Sequence, residues 1–587
     1  MSDLEQRPVP SVVAASDHSL LVRLATGAAE VGEVDPGALR RLTERLAASS
    51  LPGVVDVVPG YGTILLRLQA GAAPEALHDA VAALAESEVA KAPPGPRDET
   101  PRIVELPVCY GGEHGPDLDE VARRAGLSPH QAIARHSGAD YEVLFLGFAP
   151  GFAYLRGLPA ELVTPRLATP RAQVAAGSVA IAGAQAGIYP QAGPGGWRIL
   201  GRTPLPLVRL GETPWTRLVP GDRVRFVPID GATFARLAAD ADAPAEGPDA
   251  TAVGEAALEV LSPGPLTTVQ DLGRPGWARL GISAGGAADP LALRLANRLV
   301  GNPDGAAALE LTLRGPELLA RRAVTVALVQ AAPAGAPLTL DGAPVPGGRA
   351  LRLRAGQVLR CGLLSGGARA YLSVRGGLAV PTVCGSAATD VRGRFGGLDG
   401  RPLRRGDRLA LAARHDDEDS PGPPLQLSSA GRALLQPRRT LRVVPGAQAD
   451  WFPPQIHDEL PQRRFTVTPQ ADRTGLRLAT DPPLRLLDPG RQLRTEGVTA
   501  GALQVPADGQ PILLGVEQQA TGGYPKLAQV ISADRPQLGR LRPGDVLALE
   551  PVTPEQARVI LQTDEALLAA AVESSSYSGP ALDRGGR

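Results

Sequence analysis

LVPGDRVRF, residues 218–226, recurs as LRRGDRLAL at 403–411 and as LRPGDVLAL at 541–549. Each copy reads as a Gly-Asp turn leading into a strand. One such match carries no information, but three along one chain argue for repeated all-β units, most simply barrels. Taken singly, each turn needs only a structural explanation, the closing of a hairpin. A second echo lies upstream of these turns, where QAGIYP at 185–190 is matched by ATGGYP at 520–525.

The 587 residues provide for three or four domains with ample core. Lys+Arg number 60 against 61 Asp+Glu, so no global field favours nucleic acid or an anionic membrane, and partners must be recognised locally. With 69 Gly, 58 Pro and 3% aromatic residues, the composition suits many short strands joined by tight turns. Cys109, Cys361 and Cys384 lie far apart and are odd in number, which argues against both a disulfide framework and a metal site. The N-terminus MSDLEQRPVP has no leader pattern, and no long apolar run occurs. A cytoplasmic protein with no membrane association is the expectation.

Along the chain, residues 1–92 read as a small α+β domain, with helices near Pro36 to Ala48 and Pro74 to Glu88. PPGPRDETP at 93–101 reads as a hinge. Residues 101–236 form the first barrel region, 237–257 a linker, 258–415 and 425–553 two further barrels, and 554–587 a C-terminal helix with a disordered tail. DLDEVARRAGLSPHQAIARHS suggests two helices about a turn, but the second offers few groups able to read bases, and DNA binding is not expected. His130 and His136 are six apart, the wrong spacing for two metal ligands on one helix face. Asp289, ahead of Pro290, reads as a helix cap.

The candidate chemistry centres on TGGYPK, Thr521 to Lys526. Only two lysines occur, Lys91 and Lys526, so arginine serves almost everywhere a cation is needed and Lys526 stands out. An ammonium is a compact donor that arginine cannot imitate. Lys526 is the candidate catalytic amine, with Tyr524 and Gln519 beside it to orient substrate. Gln185, Tyr189 and Arg202 are the substrate-binding candidates from the first half, and Asp271 is a candidate acid or base. FLGFAPGFAYLRGLP at 145–159 holds Phe145, Phe148, Phe152 and Tyr154, and serves equally as core or as an apolar ligand wall.

Taken together, FLGFAPGFAYLRGLP, TPRAQVAAGSVAIAGAQAGIYPQAGPGGWRILGRTPL and PGDRVRFVP resemble the allophanate hydrolase subunit 1 family, also called the 5-oxoprolinase B component. TTVQDLGRPGW, GAADPLALRLANRLVGNP, TPQADRTGLRL and TGGYPKLAQVISADRP resemble the partner family, allophanate hydrolase subunit 2 or the 5-oxoprolinase C component, also described as a biotin-dependent carboxyltransferase. The resemblance covers nearly the whole chain and implies a fusion, mainly β, with an α+β N-terminal domain and tandem cyclophilin-like β-barrels. It implies ATP-dependent opening of 5-oxoproline to glutamate, with a separate 5-oxoprolinase A component and ATP with magnesium. The alternatives are a carboxyltransferase acting on urea from carboxybiotin, or a regulatory binder that inhibits a histidine kinase. No biotinyl-lysine motif is present, since Lys91 sits in EVAKAP and Met1 is the single methionine, so no covalently attached biotin is expected in this chain. No P-loop announces a nucleotide site. The substrate is expected to be a small cyclic amide or urea-like molecule, and a homo-oligomer is compatible with all of this. GAADP at 286–290, Gln518 and Ala520 depart from the family pattern, which puts substrate identity, not the barrels, in question.

Overall fold

The structure is a computed structural model that describes residues 10–24, 36–90, 101–167, 169, 171–209, 215–241, 255–331, 338–413 and 424–575. The expected hinge, the centre of the linker and the C-terminal tail lie outside these residues. Four antiparallel strands, in the order Ser11–Ser16, Ser19–Arg23, Thr63–Leu68, Val54–Pro59, are covered by the helices Pro36–Ala48 and Glu75–Ala90. This is the expected α+β domain.

Two closed seven-stranded barrels follow, and they share one circular strand order. In the first, Arg223–Ile229 pairs in parallel with Ile103–Tyr110. The circuit then runs through Arg198–Arg202, Ser178–Ala182, Gln185–Ile188, Ala153–Arg156 and Tyr141–Leu146 back to the start. In the second, Val546–Pro551 pairs in parallel with Thr440–Pro445. Lys526–Val530, Ala502–Gln504, Ile512–Leu514, Gly475–Ala479 and Phe465–Ala471 complete the circuit. Seven strands in one order with one parallel pair at the same place mark a duplicated unit.

The middle unit departs from the barrel expected over 258–415. It is a sandwich of a six-stranded and a five-stranded sheet around one core, to which Leu258, Leu318 and Leu359 contribute from one side and Leu309, Val326 and Leu372 from the other. Its Gly-Asp turn feeds Arg408–Ala410, which pairs antiparallel with Ala256–Ser262 where both barrels pair in parallel. The three turns nevertheless share local physics. Gly221, Gly406 and Gly544 have φ of 93°, 88° and 87°. Asp222, Asp407 and Asp545 each accept the backbone N–H three residues upstream, from Val219, Arg404 and Arg542 at 2.8, 2.6 and 2.7 Å. The repeated sequence thus encodes a turn, and only two of its three copies sit in a duplicated barrel.

The helices Leu118–Arg124 and Pro129–Ser137 cover the first barrel. His136 is fully buried on the second of them, its ring 4.8 Å from that of Phe226, and its Nδ1 lies 2.8 Å from the Tyr110 hydroxyl. Burial pushes its pKa from 6.5 down to about 3. Asp289 caps the helix Pro290–Leu299, accepting the Ala292 N–H at 3.0 Å, and also receives Arg540 of the last barrel at 2.7 Å. The C-terminal helix spans Pro554–Ala569, and Val572–Ser574 beyond it pairs with Leu425–Leu427.

Segment 271–290 joins the parts. The Ala278 N–H donates to Asp56 of the N-terminal domain at 3.2 Å, and Gly151 of the first barrel donates to the Leu280 carbonyl at 3.0 Å. Arg473 of the last barrel donates to the Gly286 carbonyl at 2.6 Å, to Glu517 at 2.7 Å and to Glu310. Burial opposes the charge on Glu310, but Arg473, Arg369 and the Tyr371 hydroxyl at 2.6 Å hold its pKa below the usual carboxylate range. Burial pushes Glu517 the other way, above that range, and Arg473 offsets only part of this.

Removing one member of such a buried pair leaves the other without compensation. Arg473→Met should lose about 3–5 kcal/mol in urea unfolding. The His136 shift has a sign as well: a pKa below the unfolded value means stability present above about pH 6.5 and lost as pH falls toward 3. The stability difference between the wild type and His136→Phe should therefore shift against the wild type across that window, as read from melting temperature against pH.

Candidate active site at the junction of the two barrels

Superposing the two strand circuits corrects the second sequence echo. Gln185–Ile188 corresponds to Ile512–Leu514, not to the TGGYPK stretch. Each barrel instead carries a short ribbon before its third strand: Gly193–Gly195 pairs with Arg171–Val174, and Thr521–Gly522 pairs with Glu496–Gly497. Gly195 faces Arg171 and Gly522 faces Glu496. This register lays GPGGWRI, 193–199, on ATGGYPK, 520–526. Trp197 then corresponds to Tyr524, Ile199 to Lys526 and Arg171 to Glu496.

The two slots use the same backbone and different charges. In the first barrel Asp117 accepts the Ile199 N–H at 2.7 Å and takes both Arg171 Nη atoms at 2.9 and 2.7 Å. In the last barrel Gln448 occupies the place of Asp117, accepting the Lys526 N–H at 3.2 Å and donating to Glu496 at 2.8 Å. The Lys526 ammonium closes this set on Glu496, with side-chain exposures of 8% and 4%. The first slot is a closed arginine–aspartate fork. The second holds a compact amine whose charged partner among the described residues is the Glu496 carboxylate.

Lys526 is therefore buried, but not in isolation, because its ribbon forms the seam with the first barrel. The Phe148 N–H donates to Thr521 Oγ at 3.0 Å, and Phe148 has φ of 61°, an uncommon value for a bulky residue. Gly147 allows the approach, since a Cβ there would lie 2.3 Å from Thr521 Oγ. Behind the seam stands an aromatic cluster of Phe145, Phe148, Phe152, Tyr154, Tyr189 and Trp197. Burial raises the Tyr154 pKa, offset in part by hydrogen bonds to Thr521 and Thr495. Burial pushes Tyr189 up to about 12. Both phenols therefore stay protonated donors near neutral pH.

The remaining predicted residues separate. Tyr189 joins the cluster, its ring 6.1 Å from that of Phe148, while Gln185 lies at the opposite end of its strand. Arg202 does not share the seam: its Nε donates to the Ala176 carbonyl at 2.7 Å and its guanidinium lies over Phe234. Gln519 lies against Gly522, and Tyr524 is 37% exposed beside it. Asp271 holds its own loop, accepting from the Gly273 N–H at 2.7 Å, the Ser386 hydroxyl at 2.6 Å and the Ala387 N–H at 2.7 Å. With those bonds in place it is not poised for proton transfer. Sequence reasoning missed Glu496, Gln448 and the exposed Arg166, and no spacing pointed to them. Among the described residues no group of three or more His, Cys, Asp or Glu is arranged to hold a metal, and no helix is long and apolar enough to cross a membrane.

Comparison with known proteins agrees with this two-part architecture. The family described as Carboxyltransferase domain, subdomain C and D, matches residues 10–218, and Carboxyltransferase domain, subdomain A and B, matches residues 280–551. The C component of 5-oxoprolinase from Haemophilus influenzae is 34% identical over 315 residues, covering 53% of this chain and 96% of that protein. The chain belongs to the 5-oxoprolinase B/C family, with both parts fused. The B component of 5-oxoprolinase from Bacillus subtilis is 54% identical over 128 residues, which are 22% of this chain and 53% of that protein, so the match spans about half of it. Urea amidolyase of Lachancea kluyveri is 32% identical over 328 residues, covering 53% of this chain and 18% of that enzyme. The crystal structure of TTHA0988 matches with a TM-score of 0.73 and 33% identity, covering 91% of this chain and all of that one. The tandem cyclophilin-like arrangement is thus shared across nearly the whole molecule.

The slot makes a stability prediction. Lys526→Met should cost about 3 kcal/mol by leaving Glu496 buried and unpaired, whereas Lys526→Met with Glu496→Leu should recover most of that loss in thermal unfolding.

Proposed function

We propose that the chain is the fused B/C component of an ATP-dependent 5-oxoprolinase, opening 5-oxoproline to glutamate together with a separate A component. The observation that carries this reading is the seam itself, where a buried Lys526–Glu496 pair from the C-like half meets the aromatic wall and the Phe148 N–H of the B-like half. Opening a lactam requires stabilisation of negative charge on the amide oxygen. A preorganised ammonium and hydrogen-bond donors in a water-poor site provide it. Lys526, on turning from Glu496, would stabilise that oxygen or a transferred phosphoryl group. Tyr524 and Gln519 would orient the ring. The cluster carrying Tyr189 would exclude water from its apolar face. ATP, with magnesium, would supply the activation. The Lys526 ammonium and the Thr521 hydroxyl are donors suited to phosphoryl oxygens. Asp271, Gln185 and Arg202 have no part in this arrangement.

A carboxyltransferase reading draws on the names of the two matching domain families and on the likeness to urea amidolyase. There the same ammonium would polarise a carbonyl while the carboxyl group passes from carboxybiotin on another protein to urea.

The assay combines the purified chain with a cognate A component, ATP and 5-oxoproline, and measures glutamate and ADP. Formation of both in equal amounts is expected, and Lys526→Met should lower kcat by about 100-fold or more. Full turnover by Lys526→Arg would refute the need for a compact amine. Carboxylation of urea, with no response to 5-oxoproline, would establish the second reading.

A further inference from the structure

Arg202, expected to supply the cation of the first half, lies away from the seam, but another arginine stands there. Arg166 is exposed and forms no ion pair among the described residues. Its backbone is held on both sides: the Leu167 N–H donates to the Gly196 carbonyl at 2.8 Å, and Arg198 Nε donates to the Pro165 carbonyl at 3.3 Å. Both anchors belong to the GPGGWRI ribbon. The guanidinium carbon lies 6.0 Å from the centroid of the Trp197 ring. From there it reaches toward the last barrel, where a Cβ on Gly523 would lie 3.7 and 3.9 Å from its Nη atoms. Its charge is felt by both cluster phenols: burial raises the pKa values of Tyr154 and Tyr189, and Arg166 works against that rise at each. Arg166 thus bridges the two matched ribbons with a planar fork that no carboxylate among the described residues occupies.

We propose that Arg166 is the specificity residue of the seam, recognising a carboxylate carried by the substrate and so selecting an anionic cyclic amide over neutral urea. The assignment rests on the lactam-opening reading and deepens it. A guanidinium aligned by an aromatic face and fixed at its backbone receives a carboxylate through two parallel N–H···O bonds. A neutral amide offers that fork no charge. Arg171 and Arg198, the arginines of the ribbon, are already committed to Asp117 and Glu120, which leaves Arg166 to make the selection.

The test is direct binding, independent of turnover. Calorimetry or ligand-observed NMR on the full chain, alone and with the A component, compares 5-oxoproline with 2-pyrrolidinone, the same lactam without its carboxylate, and with urea. The wild type should prefer 5-oxoproline over 2-pyrrolidinone by about tenfold or more, in line with a charge-assisted hydrogen-bond pair. Arg166→Gln, at an unchanged melting temperature, should bring the two lactams to similar affinity, and Arg166→Lys should keep part of the preference. An Arg166→Gln protein that still prefers the carboxylate overturns the role of Arg166 and leaves the lactam-opening reading standing. A wild type that binds urea but neither lactam overturns both.

Discussion

Where the guanidinium of Arg473 goes determines how the two closed barrels meet. It leaves the last barrel, enters the sandwich at Glu310 and holds the Gly286 carbonyl of the connecting segment. That segment also reaches Asp56 of the N-terminal domain and Gly151 of the first barrel. A charge buried to this depth is tolerated only when every donor finds a partner, so the pairing is directional in a way that apolar contact is not. With Arg473 placed, and Arg540 on Asp289 as a second tie, the ribbon carrying Thr521 comes to lie against Phe148. The seam follows from these contacts. It is not a property of either barrel alone.

Duplication explains why the site is asymmetric. Both barrels offer the same slot, a backbone N–H at the start of one strand and a side chain projecting from the opposing ribbon. In the first, Asp117 and Arg171 neutralise each other and Ile199 completes the aromatic core. In the last, Gln448 replaces the aspartate, so Glu496 takes the ammonium of Lys526. One copy of the slot became structural, and the other kept an amine beside a carboxylate. The aromatic wall of the first copy then serves the polar slot of the second across the seam.

Much of the architecture was legible in the residues, because turn chemistry and strand composition are local. Gly221, Gly406 and Gly544 announce backbone that side chains disfavour, and the aspartates that follow them announce the hydrogen bond that closes each turn. What such turns join is not local. The same turn closes two barrels and one sandwich, according to whether the next strand pairs in parallel or antiparallel with a strand far away in sequence. The match of QAGIYP to ATGGYP failed for the same reason. It compared composition, whereas equivalence is set by strand order and register. GPGGWRI, the true counterpart, shares two glycines and an aromatic residue with ATGGYPK.

By itself the sequence determined that the protein is mainly β with an α+β start, that two related parts are fused, and that Lys526 is exceptional in an arginine-rich chain. These are statements about residue type and short spacing, which act before the chain folds. Only the tertiary structure decided that Lys526 is bound to Glu496, that Arg202 and Asp271 serve elsewhere, and that Arg166 stands at the seam. The physical reason is that a side chain's role depends on which charges and donors desolvate it. Those partners come from strands and loops tens to hundreds of residues away.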